Sequence, residues 1–450
     1  MKKIVMAILA GAFCGAFTPL FAGGSKESNS GVTVVRVWSD QGSEKDVRDV
    51  QIARFNEGRG KELGIKIEYT VSSSSTYHDL IRNAALANEL PELFRASVED
   101  LQFFAGAGHA VPVAEMPGGQ AMIDLYKGQL VNNLQIFNGK VYSFPYGMTS
   151  FKLIVNKDLF EKSGIPYPKT WAEVRAAARK ITENGNGQEF GWITGLRDAW
   201  VSRSYFFAPM ASNTGLNAGF DNEKLQYNYS AMLPGIEAVY GMISDGSVFP
   251  GFEGLSADQF RAQFAEGRVG MIMGASFDVG VYTTQFPAKC NWDVIDVPAF
   301  TDAGLPYVDF VDASNLLAIG NAAKKNPEKV MEVYKFFYSD ENMAEMYEKG
   351  KYVPFRSEVL QYVKNPPSAN FQKFANLPQK AILLPTPENE QVIEGSTYRE
   401  TLQNIFARKY TNQSIADVLA DLDRRSNAAA AKLGAAKLEV YRTSRDTRRK

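Results

Sequence analysis

Apolar and polar residues alternate with a period of two over Val32 to Trp38 and again over Ile65 to Val71, which predicts two strands. Between them, Ser43 and Asp46 open a run in which Val47, Val50 and Phe55 form an inward face, predicting a helix. The polar loop Ser72 to Thr76 precedes a second predicted helix, Tyr77 to Asn88, and Pro91 to Arg95 repeats the strand pattern. This order of strands and helices predicts a parallel α/β sheet. Ligands of such sheets sit beyond the carboxyl ends of the strands.

The pattern continues along the chain. Phe151, Leu153 and Val155 alternate with Lys152 and Ile154, a mostly buried strand that ends at Asn156 and Lys157. Asp158 starts a short helix with Leu159 and Phe160 inward, Gly164 supplies its left-handed stop, and Pro166 and Pro168 prevent continuation. Thr170-Trp171-Ala172-Glu173 has the form of a capping box and opens a helix through Ile181. Ser256 to Gln259 caps a helix carrying Phe260 and Phe264, and Val269 to Met273 is an apolar strand. Asn326-Pro327-Glu328 reads as an N-cap with Pro at the first position of a helix that carries Val330, Val333, Tyr334 and Phe337 at helical spacing. Ser339 and Ser414 open further helices, and no internal repeat is present.

Composition narrows the class. Met1-Lys2-Lys3 followed by the uncharged run Ile4 to Phe21 has the form of a secretory signal peptide over residues 1–22, and Gly23 to Gly31 of a flexible tether. The expected product is exported, to the periplasm or the cell surface. Cys14 is a candidate for lipid attachment, although Phe13 stands where that signal wants a small residue. Without residues 1–22 the net charge is about −3, which offers no electrostatic basis for binding nucleic acid. Cys290 is then the one remaining cysteine, so no intramolecular disulfide is expected. A chain of 450 residues with 45% hydrophobic composition supplies a large core and suggests two lobes.

Catalytic signatures are sparse. Gly-x-Ser-x-Gly and a P-loop are both absent, and His78 and His109 lack metal-ligand spacing, so no cofactor, no metal and no enzymatic activity are expected. A secreted glycoside hydrolase is the rival class, since 50 acidic residues leave room for a carboxylate pair. A structural surface protein would more often show repeats or all-β patterning.

Ser143 to Ile181, reading SFPYGMTSFKLIVNKDLFEKSGIPYPKTWAEVRAAARKI, resembles the middle of the extracellular solute-binding proteins of ATP-driven importers, the sugar- and maltose-binding group, with Val155 where a Tyr usually stands. Phe264 to Met271, Trp292-Asp293-Val294 with Pro298, and Leu317-Ala318-Ile319 with Asn326-Pro327-Glu328 resemble later parts of the same family. The resemblance implies a two-lobed, type II periplasmic-binding-protein fold of α/β class, each lobe a mixed sheet flanked by helices, with ligand in the inter-lobe cleft. The implied first lobe is 32–149 plus 309–350 and the second 150–308 plus 351–450. Implied hinges lie near Met148 to Phe151, Tyr307 to Asp312 and Lys349 to Pro354.

A sugar presents hydroxyls and flat apolar ring faces, so its site needs planar hydrogen-bonding groups beside aromatic platforms; here 12% of residues are aromatic. By resemblance, Trp38, Ser39 and Gln41 belong to the first binding loop, with Tyr77 and Arg95 after the next strands. Tyr146 and Thr149 belong to the first hinge and Asp312 to the second crossing. Trp200 and Tyr205 belong to an aromatic-rich segment that commonly stacks on sugar rings; Phe277 stands where many members carry Trp, beside Asp278. The implied protein is a monomeric substrate-binding subunit that captures a mono- or oligosaccharide by hinge closure and delivers it to a membrane permease. Polyols, glycerol phosphates, polyamines and metal complexes are the alternative ligands.

Overall fold

The computed structural model describes residues 31–443, so the expected signal peptide, Cys14 and residues 23–30 of the tether lie outside the described residues. Ten strands build two principal sheets: β1 (Thr33–Ser39), β2 (Ile65–Val71), β3 (Leu93–Ala96), β4 (Thr149–Asn156), β5 (Phe190–Trp192), β6 (Val269–Ala275), β7 (Trp292–Ile295), β8 (Asp309–Asp312), β9 (Leu316–Ile319) and β10 (Lys380–Ile382). The first sheet runs β9-β3-β1-β2, with β1 parallel to both neighbours and β9 antiparallel to β3. Its period-two alternation separates two cores. Val35, Val37, Ile65, Ile67, Leu93 and Ile319 pack on one side, and Phe94, Ala96, Leu316 and Ala318 pack on the other with Tyr77 and Phe104.

The second sheet runs β10-β8-β4-β6-β5, and β7 lies alongside β4 next to β8. All eight residues of β4 are buried, as befits a central strand covered on both faces. Lys152 is among them. It reaches out to Asp296 (2.7 Å) and Asp309 (3.5 Å), which keeps its ammonium paired.

Local signals for helix ends hold well. The Glu173 N–H donates to Thr170 Oγ1 and the Thr170 N–H to Glu173 Oε2, both at 3.2 Å, which completes the capping box that opens Trp171–Asn184. Ser256 and Gln259 do the same for Ala257–Ala265, and Gly164 ends Lys157–Ser163 at φ +64°. Two expectations change. Asn326 precedes Pro327–Phe337 without a side-chain cap. Val50 is 59% exposed, because the buried face of Lys45–Glu57 centres on the polar pair Arg48 and Gln51, which a purely hydrophobic pattern does not register.

The lobe boundaries also shift from those expected. β8 pairs with Thr149 and Ser150 of β4 and with β10, so 309–312 belong to the second sheet and the second crossing is the short stretch Ala313 to Asn315. Past the third hinge, Val359 still packs in the first lobe's core, and the chain reaches the second lobe where Phe371 and Phe374 enter that core. The first and third crossings are hydrogen-bonded to each other: the Met148 N–H donates to the Val353 carbonyl (2.7 Å) and the Val353 N–H to the Met148 carbonyl (3.2 Å). Beside them Tyr146 and Tyr352 meet edge to face at 5.3 Å.

Gly147 makes this approach feasible, since a Cβ there would lie 2.4 Å from the Tyr352 Cβ. A Cβ cannot swing aside, so the crossings would have to separate. Gly147→Ala is expected to destabilise the protein by about 1–3 kcal/mol in urea unfolding, the usual range for overpacking; an unchanged midpoint would refute the close packing of the crossings.

Candidate functional site

The first lobe's wall of the cleft grows from the carboxyl ends of β1 and β3. Ser39 is buried and its Oγ accepts from the Gln41 N–H (3.0 Å), which turns the chain at the end of β1. Asp40 pairs with Arg95 Nη1 at 3.2 Å, both side chains largely buried, while Arg95 Nε is buried and has no hydrogen-bond partner among the described residues. Trp38 is half-buried, and the Tyr352 hydroxyl approaches Gln41 Oε1 at 3.4 Å. Tyr146 lies under this surface, with Arg48 5.6 Å from its ring centre. Burial raises the Glu44 pKa even though the Arg48 guanidinium opposes it, so this buried ion pair supports the loop from below.

Tyr77 is corrected from ligand contact to scaffold. Its side chain is fully buried, and its hydroxyl lies 2.9 Å from the carbonyl oxygens of both Trp38 and Arg95, tying together the ends of the two strands. The next support is ionic. Asp100 is buried, accepts from Arg82 Nε (2.9 Å) and Ser97 Oγ (2.9 Å), and lies 2.5 Å from His78 Nδ1. The hydrogen bond to Asp100 raises the His78 pKa above its ordinary 6.5. A raised folded-state pKa means that the stabilisation is fully present below about pH 6.5 and is lost as pH rises through the folded value. Unfolding measured from pH 5.5 to 8.5 is expected to show that decline in the wild type and a flatter profile in His78→Asn; parallel profiles would refute it.

The second lobe's aromatic group is organised around a cation. Arg261 lies 5.4 Å from the ring centres of Trp200 and Phe277 and 5.5 Å from that of Tyr205, so its guanidinium occupies ring faces expected to receive a sugar. Trp200 remains 38% exposed. Asp278, by contrast, is fully buried and corrected to a structural role: it accepts from the Ala275 N–H (2.8 Å), lies 2.8 Å from the Tyr205 hydroxyl, and lies 2.9 Å from Arg261 Nε. Burial raises its pKa despite Arg261. Arg261→Met removes the only charge paired with this carboxylate among the described residues, and a loss of about 3–5 kcal/mol in urea unfolding is expected; a loss under 1 kcal/mol would show that the pair is not what holds the group.

Between the lobes the walls meet. Glu99, two residues past Ser97, comes within 3.9 Å of Arg203 from the second lobe, and Gln102 Nε2 donates to Glu390 Oε1 at 3.3 Å. Arg203 stands on a π-helical turn, Ser202–Phe207, inside the helical stretch that also carries Trp200 and Tyr205. Asp312, at the end of β8, accepts from the Ser314 N–H (2.7 Å), and it is the strongest of the charges acting on Arg203. Thr149 is buried opposite it in the ladder. Glu388 completes the group, 3.4 Å from Arg399, whose Nε donates to the Tyr398 hydroxyl at 2.9 Å. Burial works to raise the Glu99 pKa, but Arg203 with backbone and Ser97 hydrogen bonds outweighs it and holds the carboxyl below its ordinary value. At Glu388 burial prevails, and the pKa is raised.

Of the expected site residues, Trp38, Gln41, Arg95, Phe277 and Asp312 keep partly open side chains and Trp200 an exposed one, whereas Ser39, Tyr146, Thr149 and Tyr205 are buried. Arg203, Arg261, Tyr352 and Glu388 were absent from the sequence-derived set. Arg203 had a signal, being the single charge in the run Ala199 to Ala211. Among the described residues no cluster of His, Cys, Asp and Glu is placed to hold a metal ion, and no helix is long and apolar enough to cross a membrane. The arrangement can hydrogen-bond and stack a polar ligand between two lobes.

Residues 42–344 match the family model for bacterial extracellular solute-binding proteins. The sn-glycerol-3-phosphate-binding periplasmic protein UgpB of Rhizobium meliloti is 25% identical over 334 residues, covering 66% of this chain and 74% of its own. In fold, the chain is similar to a structure from work on xylan utilization by Caldanaerobius polysaccharolyticus, with TM-score 0.70, 19% identity and coverage of 88% of this chain and 100% of that one. It is also similar to the maltose/maltodextrin-binding domain MalE of Bdellovibrio bacteriovorus bound to maltotriose, with TM-score 0.63, 16% identity and coverage of 89% and 99%. The two-lobed α/β fold thus has its counterpart in known structures, and the chain belongs to the bacterial extracellular solute-binding proteins.

Proposed function

We propose that this solute-binding protein captures a carbohydrate between its lobes, closes by hinge motion and delivers the sugar to a membrane permease. The observation that carries the reading is the mix of residue types where the lobes approach: planar polar groups from both lobes, Arg95, Asp312, Glu99 and Arg203, together with the half-buried Trp38 and with Trp200, 38% exposed although Arg261 lies over its ring. Contacts from both lobes to one ligand favour the closed state over the open one. Trp38, Gln41, Arg95, Trp200, Phe277 and Asp312 are the ligand-facing set, with Ser39, Tyr146, Thr149 and Tyr205 in support. The protein acts as an exported monomer, periplasmic or on the cell surface, with lobes 31–148 plus 313–363 and 149–312 plus 364–443.

A second reading, a glycerol phosphate ligand, draws support from the name of the Rhizobium relative. The rival hydrolase reading draws none from the family, whose relatives and neighbours are binding proteins. Ligand binding to the native state raises the melting temperature, so a thermal-shift screen of the mature chain against neutral sugars, polyols, polyamines and glycerol 3-phosphate separates the readings. A shift with a neutral sugar is expected, with affinity falling roughly tenfold in Trp38→Ala, about 1.4 kcal/mol. Shifts confined to glycerol 3-phosphate would favour the second reading, and turnover of a glycoside the third.

A further inference from the structure

A small cavity lies where the two lobes touch, about 40 Å³ in volume, room for a few water-sized groups such as hydroxyls. Its lining comes from both lobes and from the segment Leu383 to Asn389. Four charged residues face it, Glu99, Asp312 and Glu388 against Arg203, an excess of two carboxylates when all are ionised. No lysine lines it. The guanidinium is already engaged, since Glu99 is 3.9 Å away and Asp312 and Glu388 also act on it.

The remaining polar lining is uncharged: Gln102, Asn133, Asn217, Thr386, Asn389 and Tyr441, whose hydroxyl donates to Glu390. Asn217 is engaged, its Oδ1 accepting from the Leu384 N–H (2.8 Å) and its Nδ2 donating to Asn222 (2.6 Å), which fixes the segment that closes the cavity. Asn133 differs. Its Nδ2 is buried and has no hydrogen-bond partner among the described residues, and its backbone is held at φ +58°. A buried donor without an acceptor carries an uncompensated desolvation cost, so a group arriving with an acceptor oxygen relieves that cost.

We infer that this cavity is a ligand subsite in which Asn133 donates to a hydroxyl oxygen of an uncharged, hydroxyl-rich ligand, and that Glu99, Asp312 and Glu388 exclude phosphorylated ligands. The inference rests on the solute-binding reading and narrows its ligand class. A phosphate monoester would bring two negative charges against three carboxylates, with Arg203 already engaged by Glu99 and Arg399, outside the lining, by Glu388. A neutral hydroxyl can accept from the amide N–H groups and donate to the amide and carboxylate oxygens.

The test is isothermal titration of the mature chain with glucose, xylose, raffinose, maltotriose, xylotriose, glycerol 3-phosphate and inorganic phosphate, repeated on Asn133→Gly and on the double variant Glu99→Gln, Glu388→Gln. Glycine keeps the positive φ, and an unliganded melting temperature within a few degrees of wild type confirms that the variant folds. The wild type is expected to bind at least one neutral sugar and neither phosphate compound. Asn133→Gly is expected to weaken the sugar tenfold or more, and the double variant to acquire measurable glycerol 3-phosphate binding. Sugar affinity unchanged in Asn133→Gly would overturn the subsite while leaving the transport reading intact. Binding of either phosphate compound to the wild type would overturn the charge argument alone. Failure of every neutral sugar would overturn the carbohydrate reading and the subsite with it.

Discussion

The strand Thr149–Asn156 is the constraint on which the molecule depends. It leaves the first crossing at Met148 and hydrogen-bonds on one edge to β6 and on the other to β8 and β7, so three antiparallel partners take their register from it. A slip of one residue would turn every side chain of a strand buried on both faces to the wrong side. The same slip would carry Thr149 away from Asp312 and would unseat the Met148 and Val353 pairing. Hinge, second core and the lower wall of the cleft are thus set by one ladder.

From that ladder the cleft inherits an electrostatic design. Charges near the ligand space are compensated in pairs or small groups, Asp40 with Arg95, Asp278 with Arg261, Glu99 with Arg203, and each pair also restrains a loop or a ring. Buried pairs contribute less to net stability than their Coulomb attraction suggests, because both partners lose water. Their value here lies in orientation. Arg261 holds three aromatic rings around one centre, and Asp40 fixes the angle at which Arg95 enters the cleft.

What could be read in advance depended on how local the cause was. Capping at Thr170 and Ser256 needs only side chains three positions apart, and β1 and β2 reveal themselves by alternation within seven residues. The second crossing was placed a few residues off, because β8 is defined by pairing with a strand some 160 positions earlier rather than by its own pattern. At the site, Trp38 and Arg95 were legible as strand-end residues. Glu388 and Asn133 were not, since a polar residue in a loop carries no periodicity, and Arg203 showed only as a lone charge in an apolar run; it is the approach of the opposite lobe that brings the three together. Tyr77 and Asp278 show the converse: the residue types suit a sugar, but the hydroxyl and carboxylate had nearer partners in the backbone and in Arg261.

The hydrogen bonds between Met148 and Val353 also bear on the order of events during synthesis. Residues so distant in sequence must close a long loop before their pairing brings any return, and β10 joins β8 from still further along the chain. Neither the second sheet nor the hinge can be completed until most of the polypeptide has been made.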